Sequence, residues 1–121
     1  MNATIKASIL PLLLCAGLAQ AGDWTDKDTV TQAVVLSTFA LDYMQTKDIK
    51  NHSDLRETNV FLGNHPSDAR VRNYFVAASI LHTAIAYKLP PEWRRTFQYT
   101  TIALQVVTVI KNKRLGLNFE F

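Results

Sequence analysis

Four residues in this chain could do chemistry: Asp42, Glu57, His65 and His82. Asp42 lies inside an apolar segment, Glu57 and His65 in the polar stretch after it, and His82 midway along a second apolar segment. A carboxylate in apolar surroundings is costly to keep ionised unless paired, so it serves as a proton or ion carrier or as an anchor for hydrogen bonds. A histidine titrates close to neutrality and can carry a proton or ligate a metal. Asp42 is the sharpest of the four. Thr38 lies four residues before it and Thr46 four after, and Gln45 is on the same side of a helix. The plainer reading is structural: Asp42 could accept hydrogen bonds from Gln105, Thr108 or Asn112, or pair with a loop arginine. His82 has Ala78 and Ala86 four residues to either side, which permits close helix approach. It could instead stay neutral, hydrogen-bonded to a neighbouring helix.

No complete catalytic set accompanies them. His52 and His65, with Asp48, Asp54, Glu57 and Asp68, are metal-ligand types without ligand spacing. The sequence has no HExxH, no phosphate-binding glycine loop and no nucleophile elbow. Its single cysteine, Cys15, allows no disulfide within the chain. No cofactor is expected, and the metal and catalytic assignments stay open.

Three apolar segments must position these residues, and the expected class is all-α. Helices are expected over about 28–47, 69–89 and 91–113. Three aspartates precede the first, favouring a helix start. Ser67 or Asp68 can cap the second, after a Gly63-Asn64 turn and Pro66. Pro90-Pro91 separates the second from the third, and Leu115-Gly116 stops the third. The third carries an uncharged polar line, Gln98, Thr101, Gln105, Thr108 and Asn112, spaced alternately three and four residues apart. Thr38, Asp42, Gln45 and Thr46 form the matching line on the first.

Whether such stripes face water or partner helices decides the architecture. The composition is 48% hydrophobic and 19% charged, with a net charge of +3. Modest basicity without a dense basic face argues against nucleic acid. Residues 1–21 have the form of a cleavable signal peptide: Lys6, an apolar run from Ile9 to Leu18, and Ala19-Gln20-Ala21 before Gly22. A single helical domain, 22–121, follows. The apolar body of the first helix is Val30 to Met44, and eighteen helical residues about it would span about 27 Å, near the hydrocarbon thickness of about 30 Å. The stripe on the third segment lacks charge, so the favoured expectation is a bundle of three transmembrane helices, four if the signal is uncleaved. The basic residues of the 47–72 loop and the C-terminus orient both toward the cytoplasm of a bacterial inner membrane, with the mature N-terminus periplasmic. A periplasmic three-helix bundle is the alternative.

Asp42, Thr46 and the Glu57-x-Asn59 of the following loop resemble a pattern in small helical bacterial and phage membrane proteins of unassigned function. Many of those have a proline after the asparagine, where this chain has Val60, with Pro66 later. The resemblance implies a helical membrane protein with a polar site near the cytoplasmic face, and transfers no activity. The expected function is a small interaction or accessory component of the envelope. Its partners would be the bilayer and either further copies of the chain or a larger envelope protein. The alternatives are a membrane-embedded enzyme or ion-handling protein using Asp42, and a phage-type lysis or superinfection factor.

Overall fold

The computed structural model describes residues 24–120, which form three α-helices and no strand. Helix α1 spans Asp26–Asp48 and ends in a short 3-10 helix, Ile49–Asn51. Helix α2 spans Asp68–Lys88 and α3 spans Pro91–Arg114. The signal peptide expected over 1–21 lies outside the described residues.

Local chemistry sets each boundary. Thr25 and Asp28 form a reciprocal capping box at the start of α1. Ser67 accepts from the Arg70 N–H to cap α2. Pro91 opens α3, where its missing N–H leaves no bond unmade. At the end of α3 the Gly116 N–H bonds to Lys113 O and the Leu117 N–H to Asn112 O. This double closure needs a left-handed residue, supplied by Gly116 at φ +97°.

Helix α1 is the centre of the bundle, packed most extensively on α3 and less on α2. Asp28, near the start of α1, meets Arg94 and Gln98 near the start of α3. Gln45, near its end, meets Val109 and Asn112. The two helices therefore run parallel, with α2 antiparallel between them in sequence. Much of the interior is polar: Gln32, Gln45, His82, Arg94 and Gln98 are all buried. An apolar cluster of Leu62, Val71 and Phe75, flanked by Phe39, Tyr43 and Tyr74, closes the end of α1–α2 nearest the long loop.

The expectation of an all-α chain with three helices agrees with this fold, but their transmembrane character does not. Among the described residues no helix is long and apolar enough to cross a membrane. Charged residues bracket uncharged runs of only 13 residues in α1 (29–41), 15 in α2 (73–87) and 15 in α3 (96–110), against the roughly 20 that a span requires. Those runs are further broken by Gln32, His82, Gln98 and Gln105. The finding overturns the integral-membrane accessory function, and with it the membrane-embedded enzyme and the lysis-factor alternatives. It also removes the bilayer as partner, the assembly with further copies or an envelope protein through helices in that bilayer, and the inner-membrane location. The orientation assigned from basic residues had only that bilayer as its reference. Trp24 stacks on Tyr87 with ring centroids 4.1 Å apart and lies beneath the Arg94 guanidinium.

Candidate functional site

The last third of α1 presents Asp42 and Thr46 to the long loop. That loop returns over them because Leu62 is buried in the apolar cluster. Within it, Glu57 N–H donates to Asn64 O at 2.9 Å, and Leu62 and Gly63 both donate to Asn59 O. Gly63 sits at φ +81°, where a side chain would be strained. The Glu57 carboxylate accepts the Asn59 backbone N–H at 2.9 Å, and the Asn59 side chain accepts the Phe61 N–H at 3.0 Å. Glu-x-Asn thus organises its own turn and fixes where Glu57 points. The C-terminal tail closes the opposite side. Asp48 accepts from the Asn118 N–H at 2.7 Å, from Asn51 and from His52, and Leu117 is buried behind it. The Asn118 N–H, opposing the effect of burial and aided by Asn51 and His52, brings the Asp48 carboxyl down to about 2.

Together these elements enclose a cavity of about 450 Å³. Its apolar wall includes Phe39, Leu62, Tyr74 and Phe75. Its polar wall includes Asp42 and Thr46 from α1, Glu57 and Asn59 from the loop, and Gln105 and Asn112 from α3. Asp42 is part-buried, and its carboxyl is raised to about 6. Burial is the main cause, and the negative charge of Glu57 adds to it. Hydrogen bonds from Gln105 and Thr46 offset part of the rise. Among the described residues no basic side chain forms an ion pair with either acid; the pairs are Lys50–Asp68, Lys50–Glu120, His52–Asp48 and Arg94–Asp28.

No family model, curated protein or solved structure matches this chain. The resemblance to small helical membrane proteins therefore fails twice, on the absence of a family match and on the absence of a membrane-spanning helix among the described residues. Function rests on the geometry alone.

That geometry separates the four residues singled out in the sequence. Asp42 and Glu57 share the cavity. His65 is exposed on the loop and does not line it. His82 does not line the cavity; its ring meets Phe39 of the cavity wall edge-on, with centroids 5.7 Å apart, and its nitrogens belong to a separate polar network. Gln32 Nε2 donates to His82 Nδ1 at 3.1 Å and to Thr83 Oγ1 at 3.0 Å. Thr101 commits its hydroxyl proton to Phe97 O, so His82 Nε2 donates to Thr101 Oγ1 at 2.8 Å. Burial holds the imidazole down to about 4, and it is neutral at pH 7. The ring is stacked on Phe97, with centroids 4.1 Å apart.

The polar stripes divide in the same way. Thr46, Gln105, Thr108 and Asn112 line the cavity. Gln45 bridges Val109 O and Asn112, Thr38 donates to Val35 O, and Gln98 bonds to Gln32 and the Asp28 carbonyl. Among the described residues no group of three or more His, Cys, Asp and Glu side chains gathers as metal ligands. His52 is occupied by Asp48, and Asp68 by Lys50.

Sequence reasoning missed two features. The Asp28–Arg94 pair, 3.0 Å apart, is buried, with Arg94 also donating to the Ala86 and Leu89 carbonyls. Burial raises the Asp28 carboxyl, but Thr25 and Arg94 outweigh it and leave it below the usual range. The Asp48 hub was missed as well. The available signal was an acid and an arginine each placed just inside a helix start, which parallel helices bring side by side.

Proposed function

We propose that this chain binds a small polar ligand in the cavity between α1, α3 and the 52–67 loop, with Asp42 as its anchor. One observation carries the reading: a part-buried carboxylate faces a ligand-sized space that it shares with a second carboxylate, and among the described residues neither acid forms an ion pair. Small-molecule sites are concave, mostly apolar and set with a few convergent polar groups. A ligand that supplies positive charge or hydrogen-bond donors to Asp42 offsets the desolvation that the empty carboxylate bears. Its binding would therefore lower the Asp42 carboxyl from about 6 and release protons.

The same pair supports a second reading, general acid–base chemistry on the bound ligand. A carboxyl near 6 with a second carboxyl, Glu57, in the same cavity exchanges its proton readily around neutral pH, which suits the division of acid and base duties between carboxylates.

The test is a titration of the isotopically labelled protein with a library of small polar fragments, followed by amide and side-chain carboxyl NMR. Ligands should shift signals of Asp42, Glu57, Asn59 and Gln105, and Asp42→Asn should abolish those shifts while the spectrum stays that of a folded protein. Shifts that cluster elsewhere, or persist undiminished in the variant, would refute the assignment. If catalysis occurs, its pH profile should carry an inflection near 6 that Asp42→Asn removes.

A further inference from the structure

We infer that the ligand of this cavity is a zwitterion of the amino-acid or short-peptide type, held by its ammonium at Asp42 and Glu57 and by its carboxylate at Lys111 and Arg56. The inference rests on the ligand-binding reading above and deepens it. Two acids and two bases line the cavity. Asp42 and Glu57 are part-buried, whereas Arg56 and Lys111 are exposed. The acids therefore lie deeper and the bases stand at the rim. None of the four takes part in an ion pair among the described residues, although Lys50, His52 and Arg94 all do. Opposite charges that share one space without pairing leave both ends of a dipolar molecule a partner.

The rest of the lining fits such a molecule. The amides of Asn59, Gln105 and Asn112 offer donors and acceptors between the two charged ends. Phe39, Tyr74 and Phe75 form an aromatic wall that suits an apolar side group and tolerates a nearby ammonium. The volume of about 450 Å³ lies toward the small end of ligand pockets, which suits a compact ligand over a long chain. A purely anionic ligand would meet the repulsion of Asp42 and Glu57. A purely cationic one would leave Lys111 and Arg56 without a counter-charge.

The experiment uses matched triads on the folded protein: leucine, leucinamide and 4-methylpentanoate, and the phenylalanine equivalents. Each removes one charge and keeps the apolar body. Affinities are read by NMR titration and calorimetry. Each amino acid should bind about three- to tenfold more tightly than its amide, the size expected of exposed ion pairs, and at least tenfold more tightly than its des-amino acid, which brings no ammonium to Asp42 and Glu57. The double variant Arg56→Gln/Lys111→Gln should weaken the amino acids about three- to tenfold, the size expected of exposed ion pairs, and leave the amides unchanged. Asp42→Asn should weaken the amino acids and the amides alike. Amides that bind as tightly as the amino acids, with no response to the double variant, would overturn the zwitterion and leave the cavity as a cation site. If no triad member shifts a cavity signal while other fragments do, the zwitterion also falls and the binding site stands. If no compound of either set shifts a cavity signal, both fall.

Discussion

Asp42 and Glu57 sit on different elements, α1 and the loop that follows it, yet line one cavity, where the charge of Glu57 adds to burial in pushing the Asp42 carboxyl up to about 6. The loop that brings Glu57 there is held by a buried leucine and a left-handed glycine. The electrostatics of the helix therefore depend on the folding of the loop. Removing the charge with Glu57→Gln should lower the Asp42 carboxyl from about 6 while leaving it above the ordinary range, because burial remains. Carboxyl-carbon NMR titration reads this directly, and an unmoved midpoint would show that the two groups do not interact.

The pH dependence of stability should be flatter than either Asp42 or His82 alone would make it. Asp42 is raised in the fold, so its ionisation weakens the native state as pH rises from about 4 to 6. His82 is lowered to about 4, so the unfolded chain binds its proton first and stability falls as pH drops from about 6.5 to 4. Over the shared window the two slopes oppose. Asp42→Asn should raise stability at pH 7 by roughly 1–3 kcal/mol and expose a steeper acid loss. His82→Gln should remove that acid loss and leave stability that improves on acidification from pH 6 to 4. Urea denaturation at several pH values measures both, and parallel profiles for all three proteins would contradict the prediction.

Asp48 acts at a lower pH. Its carboxyl lies near 2 in the fold, so its contribution is present above about 4 and is lost as pH falls toward 2. Asp48→Ala should cost about 2 kcal/mol at pH 7, with the difference from the parent closing near pH 2. The Asn118 amide should lose hydrogen-exchange protection first, since its acceptor is gone.

The buried Asp28–Arg94 pair should be the most sensitive site at the other end of the bundle. Arg94→Ala leaves a buried carboxylate without that partner and should cost about 3–5 kcal/mol. Thermal and denaturant unfolding would check it; a loss below about 1 kcal/mol would mean that the pair is hydrated in solution.

Leu62 links stability to the site. Leu62→Ala should cost about 2–4 kcal/mol through loss of packing on Val71 and Phe75. Because the loop that carries Glu57 loosens, the Asp42 carboxyl should also fall toward its ordinary value. A destabilised variant with an unchanged Asp42 titration would show that Glu57 is positioned without Leu62.

Much of the local structure was legible. Acids before an apolar run, Ser67 before α2, Pro91 at the start of α3 and Gly116 at its end are decided by backbone groups within a few residues. Asp42 and Glu57 stood out as residue types in unusual surroundings. Their shared cavity did not, since a 15-residue separation through a loop leaves their distance open.

The sequence by itself determined an all-α chain, its three helices and the polar stripes at helical spacing. It did not determine which way the stripes face. Gln32, Gln45 and Gln98 turn inward, while Val30, Leu81, Leu104 and Val107 are exposed. Neither side of α1 or α2 is strongly more apolar than the other, so each helix alone has no preferred face to bury. Only the neighbouring helices settled that, by offering partners that complete the hydrogen bonds of a buried amide: Gln98 for Gln32, and Asn112 with the Val109 carbonyl for Gln45. The burial that raises Asp42 is of the same kind, because it comes from a loop and a third helix that no local pattern in α1 records.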